Sequence, residues 1–324
     1  MKLGTRRNGT LDGELVLVSR DLKRAVAVAQ VAPTLQDALD NWTRLATELE
    51  KVSTELNKGD VKEQFAFRAE EFCSPLPRAY QWCDGSTYLS HMELMVQIRN
   101  GTIPNWATTD PQLYQGGSDS FLGPTENIKL LAEDWGLDFE AEIAVITDRV
   151  PLGTTDENAA EHIKLLLLCN DVSLRNLTRA EREKGFGFYQ SKPASAFSPV
   201  AVTPDEMDGA WDGDTIHLPL ITTYNGVEFG RPDAGKDRQF GFCFLIRHAA
   251  KTRDLAAGSI IGSGTVSNRD RSVGSSCIAE RRMIETLEHG KPLTDFMKVG
   301  DRVRIEMFDR GGHSIFGAID QTVS

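Results

Sequence analysis

No stretch of this sequence approaches the roughly 20 consecutive apolar residues that a membrane-spanning helix requires. The start, Met1-Lys2-Leu3-Gly4-Thr5-Arg6-Arg7, is basic but has no apolar run behind it, so no secretory leader is expected. Five cysteines (Cys73, Cys83, Cys169, Cys243 and Cys277) include no CxxC pair. That argues against a zinc site or a disulfide framework and for reduced thiols in the cytoplasm. No GxGxxG or Walker pattern occurs, so no nucleotide cofactor is expected. Positive charge is also scarce: 36 Lys and Arg face 47 Asp and Glu, a net charge of −11. Such a chain gains little by releasing counterions from nucleic acid or an anionic membrane, and neither partner is expected. Internal repeats and low-complexity tracts are absent too.

What is present is ample core material. Hydrophobic residues make up 40% of 324 positions, and a chain longer than the one-core limit of roughly 250–300 residues is expected to carry an appendage. The division expected is a small unit over 1–75 and a large one over 76–324. In the first, the apolar runs Leu15 to Val18 and Ala25 to Val28 flank a polar stretch, as a hairpin does. Thr34 can then cap a helix with apolar positions Leu35, Leu39, Trp42, Leu45, Leu49, Val52 and Leu56, stopped by Gly59. That helix has an apolar stripe and no catalytic cluster, so it reads as scaffold or dimer contact.

From Ser74-Pro75-Leu76-Pro77 onward, short strands and turns dominate. Phe139 to Ile146 predicts one strand, and Ile163 to Cys169 a strand buried on both faces. Asn225-Gly226 predicts a type I′ hairpin, and Arg310-Gly311-Gly312 sits inside a terminal one. One helix is predicted from about Ile278 to His289. The fold class is therefore α+β and β-rich.

Three groups of residues suggest chemistry. On a strand, Glu140 and Glu142 project to the same side, their Cα atoms roughly 7 Å apart. Two carboxylates so placed in a buried strand repel unless a cation lies between them, and an oxygen-only donor set favours a hard ion such as Mg²⁺. On spacing alone, a solvated strand face is the better explanation of the pair. Asp171 leaves the end of the second buried strand, with the cations Arg175 and Lys192 downstream; taken alone, a cap or turn role suits it better. Asp84 and His91, seven residues apart, would share a face if their segment were helical. His is the usual general base near neutral pH. A capping Asp and a surface His are the plainer alternative.

Taken in order, these segments resemble the fumarylacetoacetate hydrolase family. The carriers are Glu140-Ala141-Glu142, Asn170-Asp171-Val172-Ser173-Leu174-Arg175, the Asp84 to His91 spacing, Gly264-Thr265-Val266-Ser267, and Glu280 in Ser275-Ser276-Cys277-Ile278-Ala279-Glu280. The likeness covers Ser74 to the C-terminus. Near Thr178 and Arg182 the sequence departs from the glutamine and tyrosine of the family's namesake.

The resemblance implies a mixed β-roll of packed sheets with the site at one open end, and a homodimer. It implies metal ligation by Asp84, Glu140, Glu142 and Asp171, with Mg²⁺ expected and Mn²⁺ or Ca²⁺ as alternatives. His91, oriented by Glu280, would activate water, and Lys192 with Arg175 would stabilise an oxyanion. Arg99, Tyr114 and Thr265 would contact an anionic diketo acid or 2-oxo acid. The activity implied is hydrolysis of a C–C bond; decarboxylation, isomerisation or hydration on the same site is the alternative, and simple binding of a small acid is a third. Gly262-Ser263-Gly264 lacks the full nucleophile elbow and reads as a close-approach loop, Cys277 as a buried structural thiol. The other five histidines lack ligand spacing.

Overall fold

The computed structural model describes residues 1–98 and 101–324. Its centre is the pair of strands Ala141–Thr147 and Ile163–Asn170, antiparallel, with Val145 opposite Leu166. Because side chains alternate faces, Ile143, Val145, Leu166 and Leu168 enter one core, while Ala144, Ile146, Leu165 and Leu167 enter another on the opposite side. This explains the nearly unbroken apolar run: both faces are covered.

Around that pair lies a sheet of eleven strands among the described residues. In spatial order it runs Phe65–Ala66, Arg24–Ala27, Glu14–Val18, Lys2–Arg6, Val200–Val202, Ile163–Asn170, Ala141–Thr147, Ile260–Gly262, Trp82–Gly85 and Leu113–Gly116, with Ala196–Phe197 branching onto Ile163–Asn170. The N-terminal hairpin thus continues the same sheet, since Lys2–Arg6 pairs with Val200–Val202. A four-stranded antiparallel sheet holds both predicted hairpins, Leu220–Tyr224 with Val227–Gly230 and Arg302–Met307 with Ile319–Thr322. Asn225 (φ 49°) and Gly226 (φ 80°) make the first turn, as a type I′ turn requires. The β-rich α+β expectation describes this architecture.

The N-terminal helix differs from expectation in being two helices, Leu35–Asp40 and Trp42–Lys58. Asn41 leaves the helical region (φ −123°, ψ 24°), and its side-chain amide donates to the Asp37 carbonyl at 3.0 Å, ending the first helix by local bonding. Leu45, Leu49 and Leu56 share a core with Leu15, Leu17 and Val26, so the apolar stripe is covered within the chain as scaffold. Gly59 closes the helix at φ 84°. No described helix is long and apolar enough to cross a membrane.

Candidate active site

Three strands of one sheet, two of them flanking Ile260–Gly262, bring three carboxylates together. Trp82–Gly85 carries Asp84, Glu142 is the second residue of Ala141–Thr147 and lies opposite Cys169, and Asp171 follows Ile163–Asn170. One oxygen from each of Asp84, Glu142 and Asp171 lies within 4.8 Å of the other two, and all three residues are buried. Both Glu142 oxygens are enclosed without a hydrogen-bond partner. Burial pushes the Asp84 and Glu142 carboxyls well above the usual range, and the neighbouring carboxylates (Asp171 for Asp84, Asp84 for Glu142) push the same way. An oxygen-only, mutually repelling, desolvated set of this kind fits a hard divalent cation.

Glycine permits the approach. A Cβ at Gly262 would sit 2.3 Å from Asp84 Oδ1, and one at Gly264 (φ +77°) would sit 2.4 Å from the Gly85 carbonyl. The Gly264 N–H donates to Asp84 Oδ1 at 2.9 Å. Ser263 is fully buried and its hydroxyl donates to the Gly264 carbonyl. The run is a close-approach turn, as its sequence suggested.

Glu140 stands apart from the trio, for a physical reason: it has cations of its own. Its carboxylate lies 2.5 Å from an Arg175 terminal nitrogen and 3.2 Å from Lys192 Nζ, and accepts from the Ser173 hydroxyl at 3.1 Å. Burial opposes its ionisation, yet Arg175 and Lys192 hold it well below the usual carboxylate range. Lys192 Nζ also lies 2.5 Å from Asp171 Oδ2, and so links Glu140 to the trio. Despite its burial, Asp171 and Glu140 keep the Lys192 ammonium firmly charged. Asp171 further accepts from the Tyr114 hydroxyl at 2.6 Å and the Ser195 hydroxyl at 2.8 Å.

Asp84 and His91 do not lie on one helix. Trp82–Gly85 is a strand paired on both edges, and the helix begins only at Leu89. Sheet partners on two sides outweigh any local helical preference. His91 nevertheless meets Glu280: Nδ1 and Oε2 are 2.9 Å apart, with Glu280 fully buried. Glu280 sits in the first turn of Ile278–His289, the helix expected, where its N–H donates to Cys277 Sγ. Burial pushes the Cys277 thiol well up, against a nucleophilic role. Thr265 lies in a loop stitched to the Ser86 to Ser90 segment by the Thr87 hydroxyl on the Ser263 carbonyl (2.7 Å) and by Ser90 on Ser267 (2.8 Å). Arg99 lies outside the described residues. The other histidines each pair with an Asp or Glu outside this cluster.

Sequence reasoning missed Asp138. Fully buried, it takes Arg175 Nε at 2.8 Å and caps the Glu280 helix through the N–H groups of Ile278 (2.7 Å) and Ala279 (2.9 Å). Its signal was available: Asp138, Glu140 and Glu142 alternate along one segment.

Residues 81–324 match the family model for the fumarylacetoacetate (FAA) hydrolase C-terminal region, and residues 1–78 that for fumarylacetoacetase N-terminal domain 2. The chain belongs to the fumarylacetoacetate hydrolase family. Over 160 residues it is 25% identical to the 2,4-didehydro-3-deoxy-L-rhamnonate hydrolase of Sphingomonas sp. (strain SKA58), covering 48% of this chain and 53% of that protein. It therefore spans about half the length of that curated relative. It is 26% identical over 195 residues to the oxaloacetate tautomerase YisK of Bacillus subtilis (strain 168), 60% of each chain. In fold it resembles the maleylpyruvate hydrolase of Sphingobium sp. SYK-6, solved with manganese(II) and pyruvate, at a TM-score of 0.65 and 15% identity over 100% of this chain and 98% of that one.

Proposed function

We propose that this chain is a metal-dependent hydrolase that cleaves a C–C bond in a fumarylacetoacetate-like or acylpyruvate-like diketo acid. The observation that carries this reading is the pairing of a half-buried His91 with the fully buried Glu280, in the same chain as a buried carboxylate trio. Asp84, Glu142 and Asp171 would hold the ion, Mg²⁺ in the first instance, with Glu140 as a fourth carboxylate. Bound there, such an ion would supply Lewis-acid polarisation of a substrate carbonyl. A carboxylate only accepts hydrogen bonds, so Glu280 fixes the proton on Nδ1 of His91. Nε2 is then the nitrogen that takes a proton from the attacking water. Lys192, braced by Arg175 through their shared partner Glu140, supplies positive charge where an oxyanion develops. Tyr114, Thr265 and Arg99 are the proposed contacts of an anionic substrate, and a homodimer belongs to the same reading.

The relation to an oxaloacetate tautomerase favours a second reading, proton transfer without cleavage. The test is ultraviolet loss of enol absorbance on fumarylpyruvate and simple acylpyruvates, with Mg²⁺ and then with EDTA, and product analysis for cleavage. Metal-dependent cleavage, abolished in His91→Ala, supports the hydrolase. Metal-dependent ketonisation of oxaloacetate without cleavage of any diketo acid would replace it with the tautomerase.

A further inference from the structure

Lys192 reaches the site from a segment with little of its own to hold it. The helix Arg175–Lys184 ends at Gly185 (φ 77°), and Gly187 (φ 103°) follows. Neither Phe186 nor Tyr189 anchors the turn, being 101% and 87% exposed. Phe188 makes an edge contact with Tyr114, ring centres 5.6 Å apart, and the Arg182 guanidinium lies 5.7 Å from its ring centre. Between that tip and Lys192, three successive backbone N–H groups turn inward.

All three converge on one carboxylate. Glu181, in the last turns of the same helix, accepts from Tyr189 N–H (3.1 Å to each oxygen), from Gln190 N–H (2.7 Å), and from Ser191 through both its N–H (3.2 Å) and its hydroxyl (2.5 Å). Consecutive N–H groups curled into a concavity select an anion, and Glu181 supplies one from within the chain. It is 7% exposed, a degree of burial that is rare for glutamate without such partners. Burial works against its charge, yet the Ser191 hydroxyl and the three N–H groups pull its carboxyl down to about 2. The other end of the helix is fixed as well, because Arg175 pairs with Asp138 and Glu140. The next residue after the clamped turn is Lys192.

We propose that Glu181 is a positioning residue of this site, its carboxylate folding the turn 189–191 so that Lys192 is delivered between Glu140 and Asp171. The role rests on the reading of Lys192 given above, but two of its tests do not require turnover. In full-length protein with Mg²⁺, Glu181→Gln keeps the shape and sets an amide N–H₂ against the converging donors. Expected are amide exchange at 186–192 at least tenfold faster, and labelling of Lys192 by an amine-reactive ester that rises at least fivefold. Mg²⁺ affinity should stay within threefold. Ser191→Ala, a milder change, should shift both readouts in the same direction.

With an acylpyruvate that the enzyme cleaves, kcat should fall at least tenfold while KM moves less. In a Lys192→Met background, Glu181→Gln should cost less than twofold more. Unchanged exchange, unchanged Lys192 labelling, or a full additive loss in the Lys192→Met background would each overturn the proposal. If wild-type protein cleaves no diketo acid, the hydrolase reading fails alone, and exchange and labelling still decide the role of Glu181.

Discussion

His91 Nδ1 and Glu280 Oε2 lie 2.9 Å apart although 189 positions separate them in the chain. Each stands on its own helix, Leu89–Ile98 and Ile278–His289, so the pair exists only in the folded protein. A general base of this kind contributes about 10²- to 10⁴-fold to rate. His91→Ala should lose that much kcat, and Glu280→Gln should lose less, because the imidazole remains but its tautomer is no longer imposed. Steady-state kinetics of the two variants check the order; equal losses would remove Glu280 from a merely orienting role.

The carboxylate trio should make stability depend on divalent metal. A ligand that binds only the folded state stabilises it by about 2.7 kcal/mol at 100 times its dissociation constant. Mg²⁺ should therefore raise the melting temperature, and EDTA should reverse the rise. Glu142→Gln should abolish the metal effect. In EDTA the same variant should melt no lower than wild type, because it removes one member of a buried, mutually repelling group. Thermal melts of both proteins with and without Mg²⁺ settle the point, and a lower EDTA melting temperature for the variant would count against it.

Gly262→Ala isolates the geometry of Asp84 from its chemistry. The new methyl carbon would sit 2.3 Å from Asp84 Oδ1 and 2.5 Å from the Trp82 ring. Overpacking of this sort costs about 1–3 kcal/mol and moves the softest neighbour. The expected result by titration calorimetry is at least a tenfold weaker Mg²⁺ affinity in a protein that still folds. Unchanged affinity would mean that Asp84 is not needed in its present place.

Much of this was legible in the sequence, for identifiable reasons. The hairpins were visible because Asn225-Gly226 dictates its own turn and because strand alternation needs no distant partner. Glu140, Glu142, Asp171, Asp84 and His91 stood out by spacing, but Glu280 and Thr265 emerged only through resemblance; nor could spacing separate Glu140 from Glu142, since the cations that pair with Glu140 alone, Arg175 and Lys192, come from further along the chain. Asp84 and His91 misled for the opposite reason: a spacing of seven suits a helix, but sheet partners supplied from Leu113–Gly116 and Ile260–Gly262 decide the matter. The clamp at Glu181 has no sequence signature, because its donors are backbone N–H groups that every residue but proline possesses.

Lys2 gives a prediction remote from the site. It is 4% exposed, and its ammonium donates to the backbone carbonyls of Ser314 (3.4 Å) and Ile315. Burial lowers its pKa from 10.5 to about 8 despite Glu206 nearby, and Arg20 adds to the lowering. Between those two values the unfolded chain binds more protons than the folded one, so stability contributed by this group rises with pH from about 8 to 10.5. The rise is at most about 3 kcal/mol. Denaturant unfolding across that range should show it in wild type and not in Lys2→Met; parallel curves would refute it.

The pairing of Lys2–Arg6 with Val200–Val202 has a consequence for how this chain can be divided. All three residues of Val200–Val202 are buried, and Lys2, Leu3 and Gly4 lie opposite them in register. An enzyme cut down to the region after residue 78 would present that valine-rich margin with its backbone donors and acceptors unmet, a template on which a second copy could polymerise. In this respect the N-terminal segment is a built-in guard against open-ended edge-to-edge pairing, and it would be needed even if it never touched a substrate.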